Sequence, residues 1–344
     1  MTFDRELHTR YFLSNLQVLP TPYSSQDSQR IVLAFFCIHG LALLGELKRV
    51  NREQTIEWVY NLQVPPDCHD ASLNGGECGF RGGTFMGNVF GCPPCHYESK
   101  LYDSSNIAST FAALCILRTL GDDLSRVNKA AIVNSLKHLQ NKKTGCFSSG
   151  NLGSEEDMRF VYCACAVSYI LDDWSGIDLD AMVRFINSCQ NYDGGIGLTA
   201  SAESHGGAVF TAIASLMLSG RIVQLKSEQS ELLRWLVFRQ QKGFQGRCNK
   251  TPDSCYAFWN GATLALLGKH SLVNVSSCKE FIYSCQFPFG GFSKYPDTVP
   301  DVMHSYFSLA WLSIAANSSA NEGEELPKLA ALDTKFQVPF FPAR

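Results

Sequence analysis

Three residues of types that bind transition metals stand at matching places of a repeated pattern. Asp253 and Cys255 open one apolar segment, and His304 follows the opening of the next. Carboxylate, thiolate and imidazole are three of the four ligands of a catalytic zinc site, whose fourth position is left for water or substrate. The chain is therefore predicted to be a zinc enzyme.

Each of the three side chains also has an ordinary structural explanation. Asp253 follows a proline and suits a helix N-cap, Cys255 suits a buried small position, and His304 suits a core histidine. The repeat nevertheless places all three at the same end of adjacent segments. We therefore expect them to face one cavity mouth.

Glutamines reveal the repeat, because each ends an apolar stretch and precedes a Gly-containing turn. They are spaced 50, 50 and 46 residues apart: Gln140, Gln190, Gln240 and Gln286. A polar loop then leads to an acid that opens a strongly apolar run: Asp157, Glu203, Asp253 and Asp301, with Asp103 and Asp27 as candidates in earlier copies. Because acids favour the positive end of a helix, each unit is predicted to be a helix pair.

The apolar character of the two helices of each pair predicts an architecture. The second helices are apolar on all sides and must be buried: Ala108–Leu117, Phe160–Leu171, Ala208–Leu218, Tyr256–Leu267 and Tyr306–Ile314. First helices such as Val127–Leu139 and Leu179–Ser188 are amphipathic and belong outside. The prediction is an all-α fold, an alpha-alpha barrel (toroid) of repeated helix pairs with inner and outer rings, and a curved open array is the alternative.

Composition indicates one domain, 1–344, in a reducing compartment. The 29 basic and 32 acidic residues give no general attraction to nucleic acid or membrane. Met1–Arg10 lacks the apolar core of a signal peptide, and the longest apolar run, Ile31–Gly45, is too short to span a bilayer. Cysteines such as Cys37 and Cys115 lie singly in apolar helices, as free thiols do. We expect a cytoplasmic protein without a membrane span.

A Cys/Gly-rich insertion at 64–100 interrupts the repeat. Cys92 and Cys95 have the spacing of half a structural zinc site, and Cys68, His69 or His96 offer further ligands. A surface insertion with free thiols explains the same residues. The sequence does not decide whether a second metal binds there.

A second polar cluster surrounds the predicted mouth: His205, Arg247, Lys250, Tyr256 and Lys294. Cations beside helix N-termini form a phosphate site, although a solvated rim of scattered charges is the alternative. Below it, Tyr162, Phe210, Phe258 and Trp259 suit a long apolar ligand or a plain core.

The chain resembles the beta subunits of protein prenyltransferases over nearly its full length. Four segments carry the resemblance: Asp157-Met158-Arg159-Phe160-Val161-Tyr162-Cys163-Ala164; Glu203-Ser204-His205-Gly206-Gly207; Gly246-Arg247-Cys248-Asn249-Lys250 with Pro252-Asp253-Ser254-Cys255-Tyr256; and Gly290-Gly291-Phe292-Ser293-Lys294 with Asp301-Val302-Met303-His304. The set is specific in order and spacing, and it implies an alpha-alpha barrel.

The resemblance also implies roles for individual residues. It makes Asp253, Cys255 and His304 ligands of one Zn²⁺, and it assigns the isoprenoid diphosphate to His205, with Gly206 and Gly207 in its motif, and to Arg247, Lys250 and Tyr256. Arg159 and Trp259 would lie along the lipid and peptide channel, and Phe36, Met303 and Phe307 would shape the peptide pocket. It further implies a heterodimer with a helical alpha subunit shared with farnesyltransferase.

Within the family, the chain resembles the type I geranylgeranyltransferase beta subunits most. Lys294 stands where farnesyltransferases and the Rab enzyme have an aspartate associated with magnesium, so magnesium should be dispensable. Val32 stands where farnesyltransferases have a tryptophan that shortens the lipid pocket, although the familiar type I residue is threonine. The insertion at 64–100 departs from the family pattern, so the resemblance assigns it no role.

The implied reaction is transfer of a geranylgeranyl group to a protein cysteine. Zinc would bind the cysteine thiol of a C-terminal Cys-aliphatic-aliphatic-X tail, as in Rho/Rac-type small GTPases, and keep it deprotonated. The thiolate would attack carbon 1 of geranylgeranyl diphosphate, and Lys294 with the diphosphate cluster would stabilise the leaving group. X would typically be Leu or Phe.

Three alternatives remain open from the sequence. A farnesyltransferase or Rab-type subunit would keep the zinc and change the substrates. A terpene cyclase would need an Asp-x-Asp-Asp motif, and Asp178-Leu179-Asp180-Ala181 lacks the last acid. A non-catalytic helical scaffold would have no zinc, or zinc only at the Cys92 loop.

Overall fold

The computed structural model describes residues 2–84, 87–100, 102–150, 154–226, 229–318 and 324–339. The described part contains twelve α-helices in chain order: α1 Arg5–Gln17, α2 Arg30–Leu43, α3 Arg52–Tyr60, α4 Ile107–Thr119, α5 Lys129–Leu139, α6 Met158–Leu171, α7 Leu179–Ser188, α8 Gly206–Leu218, α9 Gln229–Val237, α10 Ser254–Leu266, α11 Val275–Ser284 and α12 Val302–Ala316. Three antiparallel two-stranded pairs join β1 Gln63–Val64 to β2 Gly79–Phe80, β3 Phe292–Ser293 to β4 Pro300–Asp301, and β5 Leu332–Asp333 to β6 Val338–Pro339. The all-α prediction is confirmed.

The six even-numbered helices form a closed inner ring. Each packs on the next, and α12 packs on α2. A belt of aromatic rings runs through all six helices at centroid separations of 5.0 to 5.9 Å: Phe36, Phe35, Phe111, Tyr162, Phe210, Phe258 and Phe307. The closed ring confirms the toroid and excludes the curved open array.

Two of the repeated glutamines, Gln140 and Gln240, bind their unit to the outer helix of the next. Gln140 exchanges two hydrogen bonds with the backbone of Asp178, the N-cap of α7 (2.7 and 2.9 Å). Gln240 does the same with Asn274, the N-cap of α11 (2.8 and 3.0 Å). Each glutamine amide accepts the N–H of the N-cap residue and donates to its carbonyl, which also accepts the first hydrogen bond within the helix.

Helix α1 closes the outer ring at the last unit. A Cβ on Gly290 would lie 2.3 Å from the Leu7 carbonyl oxygen, and a positive φ of 99° further favours glycine there. His8 accepts a hydrogen bond from Gly291 N (3.0 Å) and stacks on Phe292 at 4.6 Å. The chain therefore joins its first helix to its last repeat.

Three of the acids expected to open inner helices do not cap them: Asp27, Asp103 and Glu203. Gln29 holds the N-cap position of α2. Asn106 is the N-cap of α4, whereas Asp103 accepts hydrogen bonds from Asn88 N (2.7 Å) and the Tyr97 hydroxyl (2.9 Å). His205, not Glu203, is the N-cap of α8. In the repeats of α4 and α8 the N-cap thus lies two or three residues after the expected acid, because another polar side chain accepts the first backbone N–H groups of the helix.

The insertion at 64–100 is partly internal. Phe80, Arg81 and Tyr97 are buried. Gly82 packs so tightly on the Ser28 carbonyl that a Cβ would lie 2.0 Å from its oxygen, next to the start of α2. This part of the chain therefore supports the inner ring, while Cys68 and Cys95 remain exposed.

Among the described residues, the helices fall short of the combined length and apolarity needed to cross a membrane.

Candidate active site

The inner helices begin at one mouth, and their N-caps carry the chemistry. The side chains of Asn106, Asp157, His205, Asp253 and Asp301 each accept a backbone N–H at the start of α4, α6, α8, α10 and α12. A capping side chain satisfies an otherwise unpaired helix donor. The same requirement therefore sets five polar groups around one opening.

Asp253 and His304 meet because two helix starts share one strand pair. Ser254 donates its N–H to the Lys294 carbonyl (3.1 Å) and its hydroxyl to the Ser293 carbonyl (2.7 Å). Strand β3 in turn pairs with β4, which leads directly into α12. The starts of α10 and α12 are therefore held side by side.

The structure assembles Asp253, Cys255 and His304 as a possible metal site. Ligand atoms of the three buried side chains lie within 4.8 Å of one another. One oxygen, one sulfur and one nitrogen donor are ligand types that zinc binds. Three protein ligands leave one position open, as catalytic zinc requires. The donor set fits the ion.

His304 is oriented from both sides. Its Nε2 lies 3.2 Å from Asp253 Oδ1, and its Nδ1 lies 2.5 Å from Asp301 Oδ2. Burial would lower the His304 pKa, but the hydrogen bonds and charges of the two carboxylates outweigh burial and raise the pKa to about 9. With Nδ1 held by Asp301, Nε2 is the nitrogen that faces the other ligands.

The Cys255 thiol is protonated in the protein without metal. Burial raises its pKa well above the ordinary value, and the Asp253 charge raises it further. A bound metal ion supplies the charge that reverses this preference, since coordinating thiols lose their proton.

His205 and Tyr256 form a polar pair beside the metal-ligand cluster. His205 Nδ1 accepts hydrogen bonds from Gly207 N (3.1 Å) and Ala208 N (3.3 Å), and its Nε2 lies 2.7 Å from the Tyr256 hydroxyl. Burial, assisted by the Arg247 charge, lowers the His205 pKa to about 4. The neutral ring therefore carries its proton on Nε2 and donates to Tyr256, whose own proton is free for an anion at the mouth.

Two glycines allow this pair to form. A Cβ on Gly246 would lie 2.1 Å from the Tyr256 ring, and one on Gly206 would lie 2.4 Å from Asn260 Oδ1. Gly206 N also donates to the Gly246 carbonyl (2.9 Å). Close backbone approach at these positions fixes the Tyr256 ring.

The predicted cations surround these groups at different distances. Lys294 Nζ lies 3.7 Å from Asp253 Oδ2, and Arg247 is half-exposed with its Nη1 3.3 Å from Glu203 Oε2. Lys250 is exposed in the same turn, and its backbone N–H donates to the Arg247 carbonyl (3.3 Å). Arg159 is held by Asp157 and by Glu155 (2.8 Å). Only Lys294 directly contacts a candidate metal ligand.

The predicted lipid and peptide residues line adjacent inner helices. Phe307 is the centre, with Trp259 at 4.5 Å and Phe36 at 5.6 Å between ring centroids. Val32 lies one turn before Phe36, and Met303 one turn before Phe307, so each pair shares a helix face. Val32, Phe36, Met303 and Trp259 are all partly accessible.

Sequence reasoning missed the positioning role of Asp301 and the part that Glu203 plays. The repeat predicts only that Asp301 opens a helix, although residues three apart, such as Asp301 and His304, meet on a helix surface. Asp253, Cys255 and His304 form the one metal-type cluster within the described ranges. The described Cys and His residues of the insertion at 64–100 do not form a second.

Comparisons with known proteins agree with this geometry. The prenyltransferase alpha-alpha toroid domain matches residues 3–338. The geranylgeranyl transferase type-1 beta subunit of Dictyostelium discoideum is 41% identical and covers 90% of each chain. That of Arabidopsis thaliana is also 41% identical, over 91% of this chain and 85% of its own.

A solved structure has the same architecture. Candida albicans protein geranylgeranyltransferase-I complexed with GGPP superposes with a TM-score of 0.83 at 26% identity, covering 98% of this chain and 96% of its own. The farnesyltransferase beta subunit of Schizosaccharomyces pombe is more distant, at 29% identity over 92% of this chain and 79% of its own. The chain belongs to the prenyltransferase alpha-alpha toroid family, among the type-1 geranylgeranyl transferase beta subunits.

Proposed function

We propose that this chain transfers a geranylgeranyl group from geranylgeranyl diphosphate to the cysteine of a C-terminal Cys-aliphatic-aliphatic-X sequence. One observation carries the proposal: a buried Asp253, Cys255 and His304 cluster lies beside the His205–Tyr256 pair at one mouth. A soft-metal site next to an anion site fits a reaction between a thiol and a diphosphate.

Asp253, Cys255 and His304 would hold one Zn²⁺. When bound, the ion supplies the charge that keeps an incoming thiol deprotonated near neutral pH. The three side chains fix the position of that thiol at the mouth, and the Asp301 carboxylate holds the His304 ring in place.

The diphosphate would bind where α8 and α10 begin. Tyr256 offers a hydroxyl proton, and the helix N-termini with Arg247 and Lys250 offer positive charge. Lys294 has a flexible side chain 3.7 Å from Asp253, so rotation can bring its ammonium to the departing diphosphate. We propose that this ammonium makes magnesium dispensable.

The lipid and the peptide would share the aromatic channel below the mouth. Val32 leaves space where a larger side chain would shorten the channel, and Trp259, 4.5 Å from Phe307 between ring centroids, provides apolar surface for isoprene units. Phe36, Met303 and Phe307 would contact the aliphatic residues of the peptide. Arg159, fixed by Asp157, would stand at the channel entrance.

We further propose a heterodimer with the prenyltransferase alpha subunit that farnesyltransferase also uses, acting in the cytoplasm on Rho/Rac-type small GTPases. The relatives named as beta subunits support a partner chain. X would most often be Leu or Phe.

The test is alkylation of a peptide ending Cys-Val-Leu-Leu by the chain co-expressed with an alpha subunit. Farnesyl and geranylgeranyl diphosphates compete, with zinc present and magnesium absent. We expect zinc-dependent geranylgeranyl transfer. Preferred farnesyl transfer would contradict the assigned lipid, and a strict magnesium requirement would contradict the role of Lys294. Lys294→Asp should create a magnesium dependence.

A further inference from the structure

Asn260 is a fully buried amide in the middle of α10, one turn after Tyr256. At the same place, seven residues after the N-cap, the helices α4, α6 and α8 have alanine: Ala113, Ala164 and Ala212. Burial of an amide costs free energy unless hydrogen bonds compensate for the lost water. Packing of the inner ring therefore does not account for an asparagine at this position.

The amide lies between two parts of the candidate diphosphate site. Its Nδ2 donates to the Gln245 carbonyl (3.0 Å), and its Oδ1 faces the start of α8, where a Cβ on Gly206 would lie 2.4 Å away. Within the described part of the chain, no group donates a hydrogen bond to Oδ1. A flipped amide would turn Oδ1 toward the Gln245 carbonyl oxygen, so the bond to Gln245 is the contact that orients Asn260.

Gln245 lies at the base of the loop 244–250, whose exposed tip carries the cations Arg247 and Lys250. Gln245 N donates to the Arg239 carbonyl (2.8 Å), and the buried amide binds the carbonyl of the same residue. Both backbone polar groups of Gln245 are therefore held from inside the protein. Because the tip is exposed, its direction follows from the way in which this base is held.

We propose that Asn260 is a positioning residue for the diphosphate site. By holding the Gln245 carbonyl against the start of α8, it directs Arg247 and Lys250 toward the anion. Its side chain is fully buried, so it acts through the loop and not by contact with the lipid. This inference rests on the proposed function, which assigns the diphosphate to these two cations.

The experiment measures the binding of geranylgeranyl diphosphate and of geranylgeraniol, the uncharged alcohol, to the co-expressed heterodimer. Asn260→Ala introduces the residue that three other inner helices have at this place. We expect the affinity for the diphosphate to fall by about tenfold, because charged hydrogen bonds from the loop are misplaced. The affinity for the alcohol should stay at the wild-type level, since the aromatic channel is unchanged.

A second comparison tests whether the amide acts through the two cations. Asn260→Ala is added to a variant that already lacks both, Arg247→Ala/Lys250→Ala. Effects of residues that act through one another are not additive. We therefore expect a further loss of diphosphate affinity of less than about twofold in this background, against about tenfold in the wild type.

Thr263→Val is the matched control on the same helix. Thr263 is fully buried, and its hydroxyl donates to the Trp259 carbonyl within α10 (2.7 Å), so the substitution removes a buried polar group that does not touch the loop. Both affinities should equal those of the wild type. Asn260→Ser should repeat the loss that is specific to the diphosphate, because a serine is too short to reach Gln245 and can bond within the helix instead.

The outcomes separate the positioning role from the proposed function. An unchanged diphosphate affinity, an equal loss for diphosphate and alcohol, or a tenfold further loss in the variant without both cations would overturn the role of Asn260 and leave the proposed function in place. A wild-type heterodimer that binds no geranylgeranyl diphosphate would overturn the proposed function and this role with it.

Discussion

At the scale of single residues, His304 shows how a second carboxylate prepares a metal ligand. Asp301 Oδ2 lies 2.5 Å from Nδ1, while Nε2 lies 3.2 Å from Asp253 Oδ1. A carboxylate on the non-ligating nitrogen fixes the tautomer and raises the basicity of the ligand. Asp301 thus serves both α12, as its N-cap, and the candidate zinc site.

The first prediction concerns this carboxylate. Asp301→Asn keeps a capping side chain, since Asn and Asp are comparable N-caps, but removes the charge beside Nδ1. We expect zinc affinity to fall by about 10–100-fold. Competition with a chromogenic chelator measures it.

Asp297→Asn is the matched control. Asp297 is exposed in the β3–β4 turn at φ 61°, a conformation that asparagine also tolerates. Equal zinc affinity in Asp301→Asn and wild type would show that Asp301 only caps the helix.

The second prediction removes the ligands themselves. Cys255→Ser or His304→Ala should abolish stoichiometric zinc and peptide alkylation, whereas binding of geranylgeranyl diphosphate survives because its site uses other side chains. Metal content by mass spectrometry and lipid binding are measured on the same samples. Cys248→Ser, at an exposed cysteine in the mouth loop, is the control. Joint loss of zinc and lipid binding would indicate a collapsed fold instead.

Residue types and spacing predicted that Asp253, Cys255 and His304 would face one mouth, and the structure brings their ligand atoms within 4.8 Å of one another because the repeat places them at equivalent helix starts. Residue types and spacing were not enough for Glu203, which was expected to open α8. The imidazole of His205 caps that helix instead, and Glu203 pairs with Arg247. When an acid and a histidine lie two residues apart, the sequence does not indicate which of the two side chains will cap the helix.

At the scale of elements, the N-cap position is the repeated device that builds the mouth. A cap must be polar, so each repeat places a polar side chain at the same point of the ring. The glutamines are equally regular, and their spacing is evident in the sequence. The spacing did not predict that Gln140 and Gln240 hydrogen-bond to Asp178 and Asn274, because these bonds join one repeat to the outer helix of the next.

The third prediction belongs to the loop that leads into α10. Gly246→Ala places a Cβ 2.1 Å from the Tyr256 ring, so the ring must move away from His205. We expect affinity for geranylgeranyl diphosphate to fall by about tenfold or more, since a hydrogen bond to a charged group is lost. Zinc content should stay at the wild-type level.

A second glycine in a loop provides the comparison. At Gly150 an added Cβ would meet nothing closer than 3.5 Å, so Gly150→Ala should bind the lipid as the wild type does. Unchanged affinity in Gly246→Ala would mean that the Tyr256 hydroxyl does not contact the diphosphate.

At the scale of the whole molecule, closure depends on contacts between the ends of the chain. The repeat predicted stacked helix pairs but left the open array possible, because the closing contacts lie outside the repeated pattern. His8 on α1 and the glycine turn of the last unit supply them. The C-terminal hairpin was likewise not predicted, since two-residue strands have no periodicity.

Buried neutral histidines make this closure sensitive to acid. Burial lowers the pKa of His8 to about 4 and of His39 to about 3. His8 Nδ1 accepts from Gly291 N, and protonation would remove that acceptor. An unfolded histidine titrates near pH 6.5, so the unfolded state binds more protons below that pH and stability falls on acidification.

The fourth prediction follows from that sign. Stability should be highest above about pH 6.5 and should fall as the pH drops toward 4, with each of these two histidines contributing about 3 kcal/mol or more of the loss below pH 4. Urea unfolding at a series of pH values measures this free energy of unfolding.

The variant His8→Phe should be less stable at neutral pH, because Gly291 N loses its acceptor, yet its stability should depend less steeply on pH between 6.5 and 4. His96→Gln, at an exposed position, should follow the wild-type curve. If His8→Phe instead loses stability on acidification as steeply as the wild type, protonation of His8 does not open the junction between the first helix and the last repeat.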